Sequence, residues 1–288
     1  MKKVVRMLGL CALVALAFTS CKKDQTESVT FKATMPTVNN ATRTHVEGAV
    51  DSYWLEWNNN DAIKVIDENK DDKIFPLTTN NGATAEFHVV GTERCEFVEN
   101  LVNAAAPYAA FYPNAAYTKG VDEVVLEIPA NQTIAGGFRF ANLTYPMVGT
   151  NTTDEGLIDN FLFDSPAGFL YLNFGVQENT TVTIDKIVLT SAGTNDLAGN
   201  LIYNPAGTSY TFEGTSNVIT ATWPAPVVVN QYQPADATII LPEGALTGEF
   251  DVEVYNGDEL IATYHANAHT ENTIVAKYYT MMANMLLN

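Results

Sequence analysis

Alternation with a period of two is the feature that most narrows what this chain can fold into. In VTFKATM, Val29, Phe31, Ala33 and Met35 alternate with Thr30, Lys32 and Thr34. Successive side chains of a strand point to opposite faces, so this is the pattern of a half-buried strand. EVVLEIP alternates Val124, Leu126 and Ile128, and FLYLNFGV puts Leu170, Leu172, Phe174 and Val176 on one face. TVTIDKIVL and SYTFEG repeat the habit. FDVEVYNGDELIATYH holds Asn256-Gly257 between two alternating runs, the strongest short hairpin cue, with positive φ expected at both turn positions. The Ala-rich NLVNAAAPYAAF is interrupted by Pro107 and leaves room for one short helix at most. Gly, Pro, Asn and Thr punctuate the strands at intervals that suit β-sandwiches. The chain is therefore expected to be all-β. Its length allows two domains of ordinary size, and the polar stretch GTNTTDEGLIDN marks the expected boundary, with residues 44–155 before it and 156–288 after it.

The N-terminus carries an address. Lys2, Lys3 and Arg6 precede an apolar run from Leu8 to Phe18, too short for a bilayer span of roughly 20 residues. Thr19 and Ser20 then lead to Cys21. That order is expected of a secretory signal over residues 1–20 rather than a membrane helix. A cysteine at this seam resembles a bacterial lipobox, with Phe18 where Leu is usual, and implies acylation of Cys21. The alternative is an ordinary signal with an incidental cysteine. Two or more acyl chains would make a stable anchor, and the CKKDQ that follows resembles the tag that sends Bacteroidetes lipoproteins to the outer surface. Cys11 leaves with the signal and Cys95 then has no partner, so no disulfide and no C-x-x-C metal or redox site is expected. A formal charge of -18 repels phosphate backbones, which sets nucleic-acid binding aside.

The order of several short segments resembles the fimbrillin-like proteins, pilus subunits of Bacteroidetes. SVTFKATM, ATRTHVEG and YWLEWNNNDAIKVID are similar to that family's opening. AAFYPNAAYTKGVDEVVLEIPANQT is similar to its Tyr-Pro, apolar strand and Pro-x-x-Gln passage, and NLTYPMVG to its Pro-Met strand. FLFDSPAGFLYLNF and TVTIDKIVLTSAGTNDLAGN resemble the start of its second domain. The resemblance implies two transthyretin-like β-sandwiches in tandem behind a lipoprotein signal. It also implies a lipidated pro-segment, residues 21–43, cut after Arg43 so that Thr44 becomes the new N-terminus. Asn39, Asn40 and Gly48 mark an exposed stretch of the kind proteases cut; the alternative is that Arg43 is a solvated loop arginine. The implied partners are an arginine-specific processing protease, the outer-membrane lipid anchor before cleavage, and other fimbrial subunits that exchange a strand for the first one (Val29, Phe31, Ala33, Met35). A host protein or glycan would be the adhesion target. Location at the outer membrane and in a surface fimbrium follows.

The donor is sought at the free end. In TIVAKYYTMMANMLLN, Tyr279, Met281, Ala283, Met285 and Leu287 form one apolar set, and flexible Met side chains suit insertion into a trough. A fixed sandwich strand is the first rival. The second is a helix grouping Tyr278, Met281, Met282 and Met285, since Met, Ala and Leu favour helices. Other features carry less. His265 and His269 in HANAH share an i, i+4 spacing that would converge on a metal only on a helix. DENKDDK is acidic but lacks the alternate ligands and Gly of a calcium loop, and reads as a solvated hairpin tip. Trp54 and Trp57 fall on opposite faces of a strand, one in the core and the other free to stack on a sugar or cover the groove. With no G-x-S-x-G and no H-E-x-x-H, neither an enzyme nor a cofactor or metal is expected. The rival to a fimbrial subunit is a surface-anchored glycan- or protein-binding lipoprotein that does not polymerise.

Overall fold

The structure, a computed structural model, describes residues 30–34, 57, 61–66, 72–81, 84–88, 109–114, 116–119, 123–134, 145–151, 160–193, 195–204, 209–246, 248–267 and 279–287. These residues are all-β, in nineteen strands. In chain order the first nine are β1 (Thr30–Thr34), β2 (Ala62–Ile66), β3 (Asp72–Asn81), β4 (Thr84–His88), β5 (Ala109–Tyr112), β6 (Tyr117–Lys119), β7 (Glu123–Ile128), β8 (Asn131–Thr133) and β9 (Met147–Asn151). Then come β10 (Asn160–Asp164), β11 (Ala167–Val176), β12 (Thr181–Ser191), β13 (Ala198–Asn204), β14 (Ser209–Ser216) and β15 (Val218–Asn230). The last are β16 (Ala235–Pro242), β17 (Phe250–Asn256), β18 (Glu259–Ala266) and β19 (Tyr279–Leu287).

Seven strands close into a barrel in the order β1-β10-β9-β5-β2-β3-β4. Its interior is filled by Trp57, Ile63, Val65, Met147, Phe161 and Phe163, all buried, while Phe111, on the other face of β5, stands edge-on to Tyr203 of β13. Gly149 of β9 lies opposite Phe163 of β10, and a Cβ there would come within 2.8 Å of the Phe163 ring. The Phe163 ring has room there because Gly149 has no side chain.

The second core lies between a three-stranded sheet, β16-β11-β19, and a five-stranded sheet, β18-β17-β12-β15-β8. Here the alternation is directly visible: Leu170, Leu172, Phe174 and Val176 of β11 meet Ile187 and Leu189 of β12 and Val252 and Val254 of β17. A four-stranded sheet, β14-β13-β7-β6, completes the structure. In β7 the neighbour of the alternating set, Val125, is also buried, so both faces of this strand are covered there.

Pairing is not confined to either side of residue 155. β10 joins the barrel, while β7 pairs with β13 and β8 runs parallel to β15. The 257 hairpin also differs in detail from its sequence cue. Asn256 pairs with Glu259, so Gly257 and Asp258 are the central residues, and of the Asn-Gly pair Gly257 alone takes positive φ, at 60°. A register shift lies beside the turn, where Val254 pairs with Ala262 but Tyr255 with Leu260.

Candidate functional site

The first strand occupies a slot. β1 runs antiparallel to β4, with Phe31 opposite Phe87 and Ala33 opposite Ala85. On its other edge it runs parallel to β10, with Ala33 in register with Phe161. It is therefore an inner barrel strand joined by backbone hydrogen bonds to two others, although it comes first in the chain. Removing it would leave the β4 and β10 edges facing each other with unpaired N–H and C=O groups. Behind the slot lie the fully buried Phe161 and the nearly buried Phe163 and Trp57.

Described residues from several of the segments that carried the family resemblance lie around this slot, among them Trp57, Tyr112, Tyr145 and Phe163. Trp57 stands edge-on to Phe163 at 5.3 Å and to Tyr112 at 5.6 Å between ring centroids. The Tyr112 hydroxyl donates to Asp61 at 2.9 Å; burial, reinforced by that carboxylate, holds its pKa far above the usual phenol value. Tyr145 donates through its hydroxyl to the Ala167 carbonyl at 3.0 Å, and Ser165 to the Pro146 carbonyl at 2.6 Å. These two bonds tie the Tyr-Pro-Met passage to the turn that leads from β10 to β11.

Gln132, in the Pro-x-x-Gln passage, holds two sheets together. It is 5% exposed. Its amide donates to the carbonyls of Ile240 at 2.8 Å and Pro129 at 3.1 Å, and its oxygen accepts the Ile240 N–H at 2.8 Å. The side chain thus occupies the edge of β16 as a neighbouring strand would. Gln132→Ala is expected to lower stability by about 2–4 kcal/mol, because both polar groups of buried Ile240 lose a partner. Urea unfolding followed by tryptophan fluorescence measures this, and a loss under half of that range means water replaces the amide.

The C-terminal segment is a strand. β19 runs parallel to β11 of its own chain, with Phe174 in register with Met285 and Val176 with Leu287. Met285 and Leu287 are buried and Leu286 is half exposed, so this end of the strand presents one apolar face inward. A register shift falls between Tyr171 and Asn173, opposite Thr280 and Asn284. The Tyr264 hydroxyl donates to the Leu286 carbonyl at 2.8 Å, and burial has pushed its pKa up to about 12. The helical alternative does not hold for these residues, because an extended strand lets Met285 and Leu287 enter the same core.

Cys21, Val29, Met35, Arg43, Thr44, Trp54, Cys95 and His269 lie outside the described residues, as does the Ala-rich stretch before residue 109. Of DENKDDK, Asp72 and Lys73 open β3, opposite Ile66 and Val65 of β2, and the residues before them lie outside the described residues. His265 pairs across the β17–β18 ladder with Asp251, its Nδ1 2.7 Å from the carboxylate. That hydrogen bond chiefly raises the pKa of the exposed imidazole, with the Asp251 and Glu249 charges adding and desolvation opposing. A raised pKa means the pair contributes fully below the ordinary value of about 6.5 and fades as pH climbs through the raised one. NMR titration of the His265 ring should show the upward shift, and Asp251→Asn should return it toward the ordinary value. Among the described residues, no group of three His, Cys, Asp or Glu is placed to hold a metal ion, and no helix is long and apolar enough to cross a membrane.

No protein-family model and no curated protein matches the chain. Among solved structures, it is similar to a candidate cell adhesion protein of Bacteroides ovatus, at 17% identity over 84% of this chain and 86% of that one, with a TM-score of 0.47. A candidate cell adhesion protein of Bacteroides uniformis aligns at 12% identity over 89% and 94%, with a TM-score of 0.46. One of Bacteroides fragilis aligns at 11% identity over 89% and 94%, with a TM-score of 0.40. These identities are too low to carry a residue's role from one chain to another.

Proposed function

We propose that this protein is a structural subunit, stalk or tip, of a cell-surface fimbria, exported as a lipoprotein through Cys21, cut after Arg43 and assembled by β-strand exchange for adhesion. The observation that supports this reading is the placement of β1 in the barrel wall. β1 is the first strand among the described residues, and in the sequence Arg43 falls between it and β2. One cut there separates the strand covalently and leaves every other barrel strand connected. The opened wall then holds two unpaired edges above an apolar floor, the arrangement that a strand from another chain fills by β-augmentation. Contacts of this head-to-tail kind do not close on themselves and so give filaments. The partners are further subunits, an arginine-specific protease and, before cleavage, the outer-membrane lipid layer.

The second reading is an anchored glycan- or protein-binding lipoprotein that never polymerises. The seating of β19 on β11 of its own chain favours it, since the uncut chain is complete in both cores. Intact-mass analysis of the mature surface protein tests the two readings. Free Thr44 at the N-terminus supports the fimbrial subunit, and acylated Cys21 as the sole form supports the anchored lipoprotein.

A further inference from the structure

We propose that the hairpin tip carrying Tyr232, which joins β15 to β16, is a contact site for a neutral saccharide. Tyr232 is 86% exposed, whereas the other exposed large apolar side chains lie between 46% and 55%. A single exposed aromatic is ordinary on a protein surface, but this one is held on a rigid mount. The Asn230 N–H donates to the Gln233 carbonyl at 3.1 Å and the Gln233 N–H to the Asn230 carbonyl at 3.0 Å, closing a two-residue turn. The Tyr232 N–H donates to the Asn230 side-chain oxygen at 2.9 Å. A neighbouring turn locks on through the Asn179 N–H, which donates to Gln231 Oε1 at 3.1 Å. Asn179 itself has a positive φ of 63°.

The chemistry around the ring selects the ligand. Asn179, Gln231 and Gln233 are all exposed, and each carries an amide that can both donate and accept. Sugar hydroxyls are matched to that dual character, while the C–H face of a pyranose suits the electron-rich face of an aromatic ring. A rigid Tyr among adaptable amides is also the composition that recognition loops use to gain contact area at low entropic cost. Charge narrows the choice further: Glu178 sits in the neighbouring turn and the chain carries -18 overall, so carboxylated or sulfated glycans are repelled. A stable protein partner needs roughly 800 Å² per side around an apolar centre; a projecting apex with one ring rimmed by amides fits a terminal sugar better.

The test uses the full, uncut chain, so its outcome does not depend on whether strand exchange occurs. Saturation-transfer NMR with maltotriose, mannotriose and lacto-N-tetraose, and sialyllactose as the anionic control, reports contact with the sugar protons. At least one neutral sugar should receive saturation at roughly millimolar affinity, with Tyr232→Phe close to wild type. Tyr232→Ala should weaken binding by at least about tenfold, or about 1.4 kcal/mol, with thermal stability unchanged because the ring is outside the core. The proposal is overturned if no neutral sugar in the panel binds, or if Tyr232→Ala binds as wild type. A substitution that spares sugar binding but removes binding to a surface protein overturns it equally.

Discussion

A chain beginning at Thr44 is expected to leave the monomer band and run as a ladder on unboiled gels, whereas full-length Arg43→Ala stays a monomer. The reason lies in the backbone ladder around the first strand. Thr30 to Thr34 are in register with Thr84 to His88 on one side, and Lys32 to Thr34 with Asn160 to Leu162 on the other. Loss of β1 leaves both edges without partners beside the core that holds Phe161, Phe163 and Trp57. Each buried backbone group left unpaired costs about 1–3 kcal/mol, so the open barrel is strongly driven to recover a strand. Another chain supplies one, and the product resists detergent because its whole ladder must be broken at once. A ladder from Arg43→Ala would remove this arginine from the mechanism. A well-folded monomer from the Thr44 chain would show that β1 is dispensable to the barrel.

Deleting Tyr278 to Asn288 is expected to abolish self-polymerisation of the cut chain while leaving its open slot able to accept a strand. Met285 is 2% and Leu287 0% exposed, and their removal empties part of the core shared by β11 and β17. Truncating a buried Leu or Met to Ala costs about 2–5 kcal/mol. Met285→Ala and Leu287→Ala should therefore each lower the stability of the uncut monomer by an amount in that range, read by urea unfolding. These variants separate the two roles of the segment. If the deletion still forms ladders alone, the C-terminal strand is not the donor. If the point variants leave the monomer as stable as wild type, β19 does not hold its place on β11 in solution.

Several strands were legible in the sequence, and so was the inward face of β11 and β17. Leu170, Leu172, Phe174 and Val176 are buried as their spacing required, and Phe250, Val252 and Val254 likewise. A period of two is a local property, written within a few neighbouring residues and independent of what lies across the sheet. It could also be read at both ends of the chain, where β1 and β19 lie. Local chemistry identified the hairpin at Gly257 but missed its centre by one residue, since Asn256 is itself drawn into the ladder opposite Glu259.

Partnership was decided only in three dimensions. Nothing near Thr30 indicates that its strand will lie parallel to β10, more than a hundred residues along the chain, or that β8 will pair with β15. Gln132 stood in a recognisable segment, yet the backbone it grips at Ile240 is 108 residues away. Tyr232 was one tyrosine among 13 until the turn around it proved to be pinned from two sides. Sheet pairing is a choice among many edges of similar local character, and it is settled by which arrangement buries every apolar face and pairs every inner edge at once. The alternation of side chains belongs to the sequence, and the slot that holds the first strand between β4 and β10 belongs to the closed barrel.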